Sequence, residues 1–128
     1  MPNCANSAFA VDARDVTPAD WEGGQMQRNR WTKTYTGELS GSGVLEAIMV
    51  GLDDGGPAIY IGVERIAGVL HGRQGTFVAL HSATAQAGNH NKTWTIVPGS
   101  GTDELVGIQG HGEILPNHDF VLTYELGS

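Results

Sequence analysis

From Gln25 onward, short segments rich in Thr, Val, Ile, Tyr and Phe alternate with glycine-bearing turns, and no stretch sustains apolar residues at three- and four-residue spacing. This texture excludes a helical core and makes most of the chain strand. The runs fall at Met26–Leu39, Val44–Leu52, Ile59–Leu70, Thr76–Ala83, Thr93–Val97, Glu104–Glu113 and Phe120–Leu126. So many regular strands in one short chain predict a barrel or a sandwich. Upstream, Pro2, Pro18 and the turn cluster Asp20-Trp21-Glu22-Gly23-Gly24 predict a weakly ordered segment over 1–24, leaving one β-domain over 25–128.

Composition bounds the function. A chain of 128 residues is about one domain's worth, and 40% hydrophobic with 16% charged residues is the balance of a folded protein. Seven basic against fourteen acidic residues give a net charge of -7, the wrong sign for neutralising phosphates, so nucleic acid is not an expected partner. The longest apolar runs, such as Ala47 to Val50, fall far short of the roughly 18 residues a membrane helix needs, and the start lacks a basic segment followed by an apolar one. The expectation is a soluble cytoplasmic protein without membrane contact. Cys4, the single cysteine, has no partner for an internal disulfide.

One turn permits geometry. His71-Gly72-Arg73-Gln74-Gly75 separates two strand-like runs closely enough for a hairpin loop, its glycines supplying positive φ. Setting Leu70 opposite Phe77 pairs Gly68 with Ala79 and Ile66 with His81, all on one face with Tyr60, Gly62 and Glu64. The other face carries Ile61, Val63, Arg65, Ala67 and Val69 with Val78, Leu80 and Ser82. Both faces are substantially apolar, so one lines the interior and the other is expected to be covered, as in a homo-oligomer.

The segments Lys33-Thr34-Tyr35-Thr36-Gly37-Glu38-Leu39-Ser40-Gly41, Tyr60-Ile61-Gly62-Val63-Glu64-Arg65-Ile66-Ala67-Gly68, Gly72-Arg73-Gln74-Gly75-Thr76-Phe77, Leu80-His81-Ser82, Trp94-Thr95-Ile96-Val97-Pro98-Gly99-Ser100-Gly101-Thr102 and Leu105-Val106-Gly107-Ile108 resemble the bacterial domain of unknown function 3224. The likeness runs in order over about residues 25 to 126. It implies a small eight-stranded antiparallel barrel of the allene oxide cyclase-like type, similar in shape to calycins and lipocalins. Similar barrels include cyclases that hold an apolar substrate in a reactive shape. The resemblance implies no established activity, and one fold hosts many functions.

Glu64 and His81 lead the candidate site residues. As diagonal neighbours on one face, a carboxylate and an imidazole in an apolar cavity form a candidate acid–base pair, with Tyr60 as a hydrogen-bond donor to a developing oxyanion. The competing reading is a buried ionic contact that fixes barrel register. Trp31, Tyr35, Leu70, Phe77 and Trp94 are candidate ligand-contacting residues, with core packing as the alternative. Arg65 projects opposite Glu64 and reads as a surface or interface ion-pair partner, whereas Arg28 and Glu46 are polar candidates without a geometric argument.

No metal or cofactor is expected. Histidines at 71, 81, 90, 111 and 118 show no HxH, HxxxH or HExxH spacing, and His111 with Glu113 offers two same-face ligands but no third. Pro98-Gly99-Ser100-Gly101-Thr102 lacks the phosphate-loop continuation, and no GxSxG nucleophile elbow occurs. Three functions remain: a cofactor-independent cyclase or isomerase acting on a small apolar molecule through Glu64, His81 and Tyr60; a non-catalytic carrier or sensor of such a molecule; and a filled structural barrel.

Overall fold

A computed structural model describes residues 2–53, 56–86 and 89–127. Eight strands follow one another: β1 (Asn3–Pro18), β2 (Gly24–Gly37), β3 (Leu39–Leu52), β4 (Ala58–Leu70), β5 (Arg73–Gln86), β6 (Asn89–Ile96), β7 (Gln109–Ile114) and β8 (Asp119–Glu125). Each pairs antiparallel with its successor, and β1 pairs with β8 to close the barrel. The all-β, eight-stranded antiparallel barrel expected from the sequence is the fold observed. No helix among the described residues is long and apolar enough to cross a membrane.

Two segments differ from expectation. Residues 1–24, expected to be weakly ordered, supply β1, whose Asn3–Ala8 stretch pairs with β8 while Ser7–Pro18 pairs with β2. Edge demand explains this: without β1 the sheet would end in two open edges, and barrel closure removes both. A bulge between Val11 and Ala13 masked the alternation that marks a strand. The expected strand Glu104–Glu113 instead begins at Gln109, because Asp103–Leu105 forms a single 3₁₀ turn that packs Leu105 into the core.

The register of the β4–β5 hairpin is also corrected. His71 and Gly72 alone make the turn, at φ 46° and 79°, so Leu70 pairs with Arg73, Ile66 with Phe77 and His81 with Gly62. Two consecutive positive-φ residues are the signature of the tight turn whose twist matches the strands, which displaces the longer loop. Because the slip is by an even number of residues, every side chain keeps its expected face. Glu64 and His81 remain diagonal neighbours, now with Gly62 between them.

Ladder partners stack the interior in layers. One contains Asn29, Ala47, Gly62, His81 and Trp94; the next Trp31, Leu45, Glu64, Ala79 and Ile96; the next Lys33, Gly43, Ile66 and Phe77. Beyond these, Leu39, Leu70, Leu105, Ile108 and Leu122 fill one end of the barrel completely. At that end Gly41 and Gly68 pass so closely that a Cβ on either would collide with the facing strand's backbone, which is why the sequence places glycine there. The outer wall is half apolar: Ile61 and Val63 are 50% and 48% exposed beside Ile48 and Leu80.

Candidate functional site

The site is built around Glu64, which β4 places inside the barrel with no exposed surface. Lys33 Nζ donates to Oε1 at 3.0 Å and the Tyr35 hydroxyl donates to Oε2 at 2.5 Å. His81 Nε2 also lies 3.0 Å from Oε1, a contact without directed hydrogen-bond geometry, and Nε2 has no other partner among the described residues. Gly43 makes the hub possible, since a Cβ there would strike the Glu64 carboxylate. Sequence alternation puts Asn29, Trp31, Lys33 and Tyr35 on the inner face of β2, and thereby brings the ammonium to the carboxylate.

Electrostatics fixes the protonation of the hub. Burial by itself would raise the Glu64 carboxyl, but His81, Lys33 and Tyr35 together outweigh that and hold it below the ordinary carboxylate value. Burial and the neighbouring Glu64 charge push the Tyr35 phenol well above its usual range. At neutral pH the hub therefore contains a carboxylate and a protonated phenol. A carboxylate so engaged is a poor proton donor or acceptor, and it acts on His81 and Lys33 as a fixed charge.

Above the hub the barrel opens. Met49, Tyr60, Ala83 and Lys92 form an inward-facing row across β3 to β6 and line a recess of about 410 Å³. A second recess of about 500 Å³ shares Tyr60, Ala83 and Lys92 and continues past His81 and Trp94 to β7. Ala83, the small residue between Tyr60 and Lys92, leaves room in both recesses. The β6–β7 wall beside it is held by one ladder pair, Thr95 with His111. Burial and then the Glu64 charge raise the Tyr60 phenol to about 12, so it remains a donor at neutral pH. The Trp94 indole N–H is buried without a partner among the described residues, its ring 5.2 Å from the His81 ring.

The structure brings Glu64 and His81 into contact and places Tyr60 at the mouth, its ring centroid 6.4 Å from that of His81. Of the candidate ligand contacts, Trp94 lines the recess, whereas Leu70 and Phe77 are sealed in the filled end and Tyr35 is committed to the hub. Trp31 lies on the inner face beneath the Arg14 guanidinium, 4.8 Å from its ring centre, and donates to Asn29. Arg65 faces outward and exposed, with no ion pair among the described residues; Arg28 and Glu46 also lie outside, where Glu46 meets Arg30 at 3.5 Å. His111 and Glu113 are exposed on β7, and among the described residues no three potential metal ligands converge; the side chain of His90 lies outside the described part.

Lys33 was not singled out from the sequence, although its position between Trp31 and Tyr35 at period-two spacing is the signal that marks it as interior. A second cluster was also missed. At the filled end Glu38 accepts from the Asn6 backbone N–H and lies 3.0 Å from His71 Nε2, whose Nδ1 meets the Tyr124 hydroxyl. The Asn6 N–H and then His71 hold the Glu38 carboxyl below its ordinary value. These contacts clasp the β2–β3 turn, the β4–β5 turn, β1 and β8 together.

Fold and site together define a class: a small antiparallel barrel plugged at one end, open at the other, with a neutralised carboxylate hub under the mouth. The chain belongs to the family of proteins of unknown function designated DUF3224, which matches residues 5–127. A crystal structure of a DUF3224-family protein with unknown function from Shewanella oneidensis MR-1 has a TM-score of 0.84 and 25% identity, covering 100% of both chains. No curated protein matches.

Proposed function

We propose that the barrel binds a small, largely apolar molecule in its mouth and assists a proton-transfer rearrangement of it, an isomerisation or ring closure, without a cofactor. The observation that carries this reading is His81: an imidazole 4% exposed that lines the recess between Tyr60 and Trp94, with Nε2 set 3.0 Å from the buried Glu64 carboxylate. Imidazole is the side chain whose ordinary proton affinity suits exchange near neutral pH. In the proposed step His81 takes a proton from one carbon of the substrate and returns it to another position, so that no co-reactant is consumed. Glu64 is a positioning residue that stabilises the imidazolium, and the Tyr60 hydroxyl donates to the oxygen on which charge develops. The mouth supplies orientation, and restricting a flexible molecule to a reactive shape is itself a large source of rate.

The test is native mass spectrometry of the purified protein after exposure to a bacterial lipid and metabolite extract, alongside His81→Ala and Tyr60→Phe variants. The expected result is a retained small molecule that wild type converts and His81→Ala holds unchanged. Retention without conversion by wild type makes the protein a carrier or sensor. Absence of any retained molecule supports a barrel whose role is structural.

A further inference from the structure

We infer that the molecule taken by the mouth carries a carboxylate, whose oxygens meet the Lys92 ammonium while its apolar part lies over Met49 and the alanines of β5, leaving the Tyr60 hydroxyl to the oxygen on which charge develops. This rests on the reading of the mouth as a small-molecule site and adds the chemical class of the ligand.

The argument starts from register. Met49 pairs with Tyr60, Tyr60 with Ala83, and Ala83 with Lys92, so all four lie in one row on the inner face, with Lys92 exposed at the rim. Tyr60 and Lys92 are thus two strand spacings apart, roughly 10 Å between their backbones, with only a methyl group between them. Long side chains on either side of a small one make a cleft whose two walls are both hydrogen-bond donors. Lys92 has three N–H donors and no acceptor, and Tyr60 keeps its proton at neutral pH.

Charge distribution sharpens the assignment. The chain carries fourteen acidic against seven basic residues, yet among the described residues the 410 Å³ recess holds Lys92 and no carboxylate. In the adjoining recess the acidic residue is Glu113, exposed on the β7 stretch that also brings His111 to its lining. The interior carboxylate, Glu64, is already neutralised by Lys33 and lies a layer below His81. An acidic molecule that presents a cation and donors at its one open end selects an anionic head, since low dielectric on the apolar walls strengthens the attraction. Beside the polar Gln25, Gln27 and Thr84, the lining offers Met49, Val50, Ala58, Ile59, Ala83 and Ala85 as an apolar wall that suits a hydrocarbon body.

The experiment titrates wild type with octanoate, octanamide and octylammonium by isothermal calorimetry at neutral pH, and repeats the series with Lys92→Met and Lys92→Arg. Octanoate is expected to bind wild type about tenfold tighter than octanamide, which is the scale of one charge-assisted hydrogen bond. Octylammonium is expected to bind weakest. Lys92→Met should bring octanoate to the octanamide level and leave octanamide unchanged, and Lys92→Arg should restore the preference. Equal binding of octanoate and octanamide to wild type, or a preference that survives Lys92→Met, overturns the carboxylate assignment and leaves the apolar site standing. Failure of all three probes to bind overturns both.

Discussion

Glu64 shows how one residue sets both stability and chemistry. Its carboxylate is fully buried, and Lys33, Tyr35 and His81 compensate the lost hydration. Replacing it with glutamine keeps the shape but strands the Lys33 ammonium in the interior, so Glu64→Gln is expected to cost about 3–5 kcal/mol of unfolding free energy in urea titrations. The pH dependence follows from the direction of the shift. With the folded carboxyl held below its unfolded value, the stabilisation is present above the unfolded value of about 4.3 and disappears as pH falls through the folded one. Comparing urea midpoints at neutral and acid pH should therefore show a fall for wild type that is smaller in Glu64→Gln; equal falls would mean that the hub does not couple to protons as described.

At the scale of elements, the hairpin turn decides the register of the site. His71 and Gly72 both adopt positive φ, and a Cβ added at Gly72 meets nothing within 4 Å. Gly72→Ala therefore isolates backbone conformation from packing and is expected to destabilise the protein by roughly 1–2 kcal/mol in thermal or urea unfolding. A neutral result would show that the turn relaxes without penalty. The register it enforces was only partly legible: alternation along β4 and β5 gave the correct faces for Tyr60, Glu64, Ile66 and His81, since parity survives an even slip. Turn length was not legible, because five consecutive turn-compatible residues, His71 to Gly75, permit more than one hairpin and only ladder pairing selects among them.

For the whole molecule, closure is the governing event. β1 belongs to the barrel only because β2 and β8 both present unpaired edges to it. Deleting residues 1–18 is expected to leave those edges open and to abolish the cooperative unfolding transition seen by far-UV circular dichroism, with aggregation at concentrations where the full chain stays dispersed. A truncated chain that unfolds with the wild-type midpoint would show that β1 is accessory. Closure also separates the two ends, since the pairing that aligns Tyr35 and Lys33 with Glu64 packs Leu39 and Leu70 below them and leaves the row of Tyr60 and Lys92 above.

The sequence by itself determined the all-β class and the interior faces, because period-two alternation and glycine-bearing turns are local properties that each strand carries alone; these left a barrel or a sandwich, and the family resemblance implied the barrel. Tertiary structure decided the rest. Lys33 reaches Glu64 across β3 through the space left by Gly43, β1 is recruited by edges elsewhere in the chain, and Leu70 and Phe77 became plug while Lys92 became mouth. Each of these depends on shear and ladder pairing between strands, which fix height along the barrel axis, a coordinate that no single strand encodes.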